Sequence, residues 1–128
     1  MKVMRSMSKR ELELFLDGNV IVGKDQRGNN STVEEGVCFF PYDNADCRTQ
    51  VETWFWEIVA IFEIDEKLLT KGTGKYPDWN YLFDLTKHKI LPEYSIPEYS
   101  NKCAKFLEFH HKHRPEEHLK AGDLYAKN

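Results

Sequence analysis

The chain opens on a short apolar run with one charged interruption, "KVMRSM" at residues 2–7, which reads as a strand. A helix pattern follows at once. Ser8 and Glu11 have capping-box spacing, in which Ser8 accepts from the Glu11 amide and Glu11 reaches back to the Ser8 amide. Met7 and Leu12 sit where a hydrophobic staple would be, and Leu12, Phe15 and Leu16 share one helical face. Gly18 is the stop, so the helix is expected over residues 9–17. "NVIV" at 19–22 is a short β-branched strand, and "GKDQRGNNS" a polar loop. "VCFF" at 37–40 is a compact apolar strand, and "PYDN" a turn in which Asp43 or Asn44 would cap a helix over 45–56. Cys47, Val51, Trp54 and Phe55 keep helical spacing there. "IVAIFEI" at 58–64 is the most continuously apolar run, as a central buried strand requires. Asp65 caps the turn "EKLL", and "TKGTGKYPDWN" is a long exposed loop. Short strands are expected at 81–85 and 88–91. "SNKCAKFLEFHHKH" at 100–113 reads as a helix with Cys103, Phe106, Leu107 and His110 on one face, and 114–128 as a peripheral polar stretch. The order β-α-β-β-α-β, then β-rich material and a helix, predicts an α+β fold. It would be a single domain over 1–128 with a central mixed or antiparallel sheet flanked by helices.

Composition narrows the field. The 128 residues are 41% hydrophobic, 13% aromatic and 30% charged, with a net charge of −3. That supplies a core and a mixed surface, and gives no general basic face for nucleic acid. No apolar run is long enough to span a bilayer, and "MKVMRSMSK" lacks the apolar segment of a signal peptide. Cys38, Cys47 and Cys103 are odd in number and widely spaced, which suits neither a disulfide framework nor a CxxC metal site. The expectation is a reduced cytoplasmic protein, in the host cytosol if the gene is phage-borne, as a monomer or small homo-oligomer.

Four features bear on chemistry. Arg5 lies near the end of the first strand, where an arginine pointing into water is the ordinary explanation. "GTGKYP" at 72–77 lacks the G-x-x-x-x-G-K-[ST] pattern of a phosphate loop and reads as a loop that could close over a site. The histidines of "FHHKHRPEEH" complete no ligand spacing, so no metal is expected. "ILPEYSIPEYS" at 90–100 sets two carboxylates and two tyrosines before the expected last helix. Ser95 as N-cap, Pro97 in the first turn and Glu98 near the helix dipole explain the second half. They leave Glu93 and Tyr94 unexplained.

Taken in order, "VMRSMSKRELELFLDG", "STVEEGVCFF", "VAIFEIDEKLLTKGTGKYPD" and "KILPEYSIPEYS" resemble a small ADP-ribosyltransferase-like protein of bacterial or phage type. The likeness covers about residues 2–100 as a pattern. It implies the fold of that superfamily, NAD as substrate and a macromolecular acceptor, protein before nucleic acid. It implies Arg5, with Ser6 beside it, as the pyrophosphate clamp on the first strand. Ser31 and Thr32 would organise the site, and Tyr42, Tyr76 and Tyr94 would stack on the rings. Glu93, or Glu98 in its place, would stabilise the positive charge that develops on the ribose. The competing expectations are an inactive protein of this fold that blocks a host machine, and a small histidine-dependent nuclease or hydrolase.

Overall fold

The computed structural model describes residues 1–22, 32–33, 36–53, 56–71 and 94–122. Ten strands and two α-helices are assigned among them: β1 (Lys2–Met7), α1 (Lys9–Leu16), β2 (Ile21–Val22), β3 (Thr32–Val33), β4 (Gly36–Pro41), α2 (Ala45–Thr53), β5 (Ile58–Ile64), β6 (Thr70–Lys71), β7 (Tyr94–Ile96), β8 (Glu98–Tyr99), β9 (Ala104–His111) and β10 (His118–Lys120). The fold is α+β. One sheet runs β10-β9-β5-β1-β4-β7-β6, with β3 also on β4, and β2 pairs separately with β8. Every strand pair described is antiparallel. Among the described residues no helix is long and apolar enough to cross a membrane.

The expected central strand is central. β5 lies between β1 and β9, and six of its seven residues are buried. Its alternation splits the core by sheet face. Ala60 and Phe62 pack with Val3 and Met7 of β1 and with Leu12 and Phe15 of α1. Val59 and Ile61 pack with Met4 of β1, Phe40 of β4, and Cys47 and Val51 of α2. The sheet therefore has an α1 face and an α2 face. On the α1 face, Phe62 is ringed by Phe15 at 5.0 Å, Tyr99 at 5.6 Å, Phe39 at 5.9 Å and Phe106 at 6.0 Å between ring centroids. These edge-on contacts add to the stabilisation that burial alone gives.

Local signals set both helices. The Glu11 amide donates to Ser8 Oγ at 3.2 Å. Gly18, at φ +90°, ends α1 as its N–H turns back to the Phe15 carbonyl, and the Asn19 N–H follows to that of Leu14. A side chain there would strain the backbone. Asn44, rather than Asp43, caps α2, with the Cys47 amide on its Oδ1 at 3.1 Å.

Three expectations are corrected. Residues 104–111 are not a helix; they form β9, paired along its length with β5. The register slips between Ile61 and Phe62, so Leu107 is an extra residue in the pairing. The bulge puts Phe106 and Phe109, three apart, on the same face, which imitates a helical period. Ser95 caps no helix, because it lies within β7, and Glu98 belongs to β8. The C-terminal polar stretch is tied in at its start, where β10 pairs with β9. The expected strands at 81–85 and 88–91, the loop at 72–78 and the aromatic pair Trp54 and Phe55 lie outside the described residues.

Candidate functional site

The placement of Arg5 answers the question its sequence position raises. It faces the α1 side with none of its surface exposed. Its Nε and Nη2 donate to the two oxygens of Glu11 at 2.6 and 2.7 Å, and Nη1 donates to the Cys38 carbonyl at 3.2 Å. Tyr99 Oη donates to Glu11 Oε2 at 2.6 Å. Glu11, on the first turn of α1, thus gives its amide to Ser8 and its carboxylate to the core. The reciprocal half of the expected capping box is replaced by a buried ion pair. Burial works against the charge on Arg5, but the adjoining Glu11 carboxylate overrides it and holds the guanidinium above its ordinary pKa. Burial, and then Glu11, push the Tyr99 phenol well above its ordinary value. The polar atoms of all three residues turn inward and bond to one another.

The α2 face is built differently. A cleft of about 320 Å³ opens there, with Met4, Val51, Val59 and Ile61 as its apolar floor. Tyr42 and Arg48 stand at the rim, with Glu52, Glu108, His110 and His118. The register of β9 and β10 sets His110 directly opposite His118, so the two side chains are cross-strand neighbours. His110 Nε2 pairs with Glu52 Oε1 of α2. His118 Nε2 lies 3.3 Å from Glu108 Oε2. Tyr42 carries two cations over its ring, Lys2 Nζ at 4.0 Å and Arg48 Cζ at 5.2 Å from the centroid, and its carbonyl accepts from Arg48 Nη1 at 2.6 Å. Just past the end of β9, the half-buried Lys112 donates from Nζ to Ser6 Oγ at 2.8 Å. Burial draws its pKa down to about 8, against an opposing effect of Glu52.

This arrangement supplies acid–base chemistry beside an apolar surface. A histidine paired with a carboxylate is oriented to accept or return a proton. Among the described residues, no group of three or more His, Cys, Asp and Glu is placed to hold a metal ion.

The residues singled out from the sequence are dispersed. Tyr42 lines the α2-face cleft, and Ser6, fully buried, accepts from Lys112 outside the cleft's lining. Arg5 lies on the opposite face, inside the core. Tyr94 is half-buried on β7 opposite Phe39, and Thr32 is on β3 opposite Val37. Glu98 is exposed on β8, in the smaller sheet. Ser31, Tyr76 and Glu93 lie outside the described residues. The sequence reading missed Arg48, Glu52, Glu108 and Lys112, and weighed His110 and His118 only as metal ligands or as the base of a nuclease or hydrolase. For Glu108 a signal was present in its i, i+2 spacing with His110, which puts the two on one face of a strand. A helical period had been assigned to that segment instead.

No protein-family model, curated protein or solved structure matches the chain.

Proposed function

We propose that the α2-face cleft binds a nucleotide, NAD first among the candidates, and that the reaction carried out there is transfer of ADP-ribose to a macromolecular acceptor. The observation that carries this reading is the cleft's set of residue types. An aromatic ring, a guanidinium and two carboxylate-paired imidazoles surround an apolar floor. ADP-ribosyl transfer uses the same types: a flat apolar surface for a base, a cation for phosphate, and a carboxylate near the ribose where positive charge grows. The sequence resemblance supports the choice of NAD.

In this reading Glu52 and Glu108 hold the positions first given to Glu93 and Glu98, and Arg48 stands where Arg5 was expected. The bond from the ribose to nicotinamide breaks, and nicotinamide leaves with the electron pair. The acceptor's nucleophile bonds to the same carbon, and its proton passes to the His110–Glu52 pair. Calorimetric titration with NAD, followed by transfer of label from NAD to protein in lysate, tests the reading. Binding at one site, lost in Arg48→Ala and His110→Ala, supports it. Absence of NAD binding by the intact chain removes it and leaves the protein-blocking alternative.

A further inference from the structure

We propose that His110 and His118 form an acid–base pair that cleaves short single-stranded RNA in the α2-face cleft by way of the ribose 2′-hydroxyl. The inference shares its cleft with the nucleotide reading but does not rest on it, because neither NAD nor an acceptor takes part. It rests on a geometry that brings two imidazoles, two carboxylates and two cations from four elements to one opening. His110 of β9 stands directly opposite His118 of β10, and both line the cleft. Cross-strand side chains of this kind start about 4.5–5.5 Å apart. Their rings are drawn to different partners. His110 Nε2 pairs with Glu52 of α2, and His118 Nε2 lies 3.3 Å from Glu108 of β9. Each ring is oriented in this way, and among the described residues neither Nδ1 has a partner of its own.

The same opening holds cations that can receive a phosphate. Arg48 Nη1 donates to the Tyr42 carbonyl at 2.6 Å and its Cζ lies over the Tyr42 ring, which leaves Nε and Nη2 as a fork for phosphate oxygens. Lys2 Nζ rests on the same ring, 4.0 Å from the centroid, and the Tyr42 N–H donates to the Lys2 carbonyl at 3.0 Å. Tyr42 therefore positions both cations. Glu63, across from Lys2 in the pairing of β1 with β5, turns instead to the Met1 amine at 2.9 Å. Among the described residues, neither Lys2 nor Arg48 is in an ion pair with a carboxylate. The apolar floor beside them offers a surface for a base. A net charge of −3 gives no wider basic face, which limits the substrate to a short strand held at the cleft.

The step balances with RNA and water alone. One imidazole, neutral, takes the proton of the 2′-hydroxyl as that oxygen bonds to phosphorus. The bond from phosphorus to the 5′-oxygen breaks, and the second imidazole, protonated, gives its proton to that leaving oxygen. Arg48 and Lys2 offset the negative charge that gathers on the non-bridging oxygens. The products are a 2′,3′-cyclic phosphate and a free 5′-hydroxyl. Water then opens the cyclic ester with the two imidazoles in exchanged roles, and both return to their starting states.

The test incubates the full chain, with chelator and without NAD, with a mixed-sequence RNA hexamer and identifies the fragments by mass spectrometry. Fragments ending in a 2′,3′-cyclic phosphate are expected. A DNA hexamer of the same sequence should stay intact, because it lacks the attacking hydroxyl. His110→Asn and His118→Asn should each slow cleavage at least about a hundredfold, and Arg48→Met about tenfold. All three side chains reach solvent, so these variants should melt near the temperature of the native chain. Lys67→Met, at an exposed position outside the cleft's lining, should cleave at the native rate. An RNA hexamer left intact, a cleaved DNA hexamer, or equal rates in the native chain and either histidine variant (the mark of a trace nuclease) overturns the proposal.

Discussion

Both faces of the sheet carry a basic side chain beside a carboxylate, with opposite consequences. On the α1 face, Arg5 and Glu11 lie under α1 with no exposed side-chain surface, and Tyr99 and the Cys38 carbonyl take up further bonds. On the α2 face, the His110–Glu52 and His118–Glu108 pairs remain between about a quarter and a half exposed. Water and ligands reach the second set and not the first. A basic side chain beside a carboxylate therefore acts as internal framework on one side and as an available acid–base group on the other. Burial sets the two kinds of pair apart: one is closed to solvent and the other open to it.

The comparison breaks most sharply if one partner of the closed pair is removed. Glu11→Ala leaves a buried guanidinium without its counter-ion, and urea denaturation should register a loss of about 3–5 kcal/mol. The corresponding change on the open face, Glu52→Ala, should cost at most about 1 kcal/mol, because a solvated pair contributes little. Equal losses would mean that the two faces are not different in kind. Tyr99→Phe sharpens the picture of the closed face. It removes one hydrogen bond to Glu11 while keeping the ring that stacks on Phe15, and about 1.5–3 kcal/mol should be lost in the same assay. Ser8→Ala touches only the part-buried cap of that arrangement and should cost about 1 kcal/mol.

The last effect belongs to the open face and appears only with pH. Below about pH 8, Lys112 is charged in both the folded and unfolded chain, and the folded state bears the burial penalty. Between about 8 and its usual 10.5, the folded amine loses its proton while the unfolded one keeps it. Stability from this group must therefore rise with pH across that window. Denaturation midpoints of the native chain and Lys112→Met should diverge upward for the native chain from pH 8 to 10. A constant difference would place Lys112 in ordinary solvent.

Much of the closed face was legible in the sequence, and little of the open one. Ser8, Glu11 and Gly18 mark the ends of α1 through local chemistry, and "IVAIFEI" marks its strand by continuous hydrophobicity, so these elements need no knowledge of distant partners. The ion pair of Arg5 with Glu11 was not readable, although they are only six residues apart. The capping box gave Glu11 another assignment, and only packing of α1 onto β1 turns its carboxylate inward. The open face was lost in β9. Its bulge at Leu107 spaces Phe106 and Phe109 like a helix and hides the alternation of Glu108 and His110. A bulge is made by register against β5, some 45 residues earlier in the chain, and leaves no local signature.

The arginine side-chain Nε–H signals in a two-dimensional nitrogen–proton spectrum, followed during titration with NAD, report directly on where a ligand lands. Arg48 lies at the rim of the open cleft, and Arg5 is locked against Glu11 on the other side of the sheet. A ligand bound on the α2 face should shift the Arg48 signal in a saturable way and leave that of Arg5 unmoved. A saturable shift of Arg5 with Arg48 unchanged would contradict the assignment of chemistry to the open face.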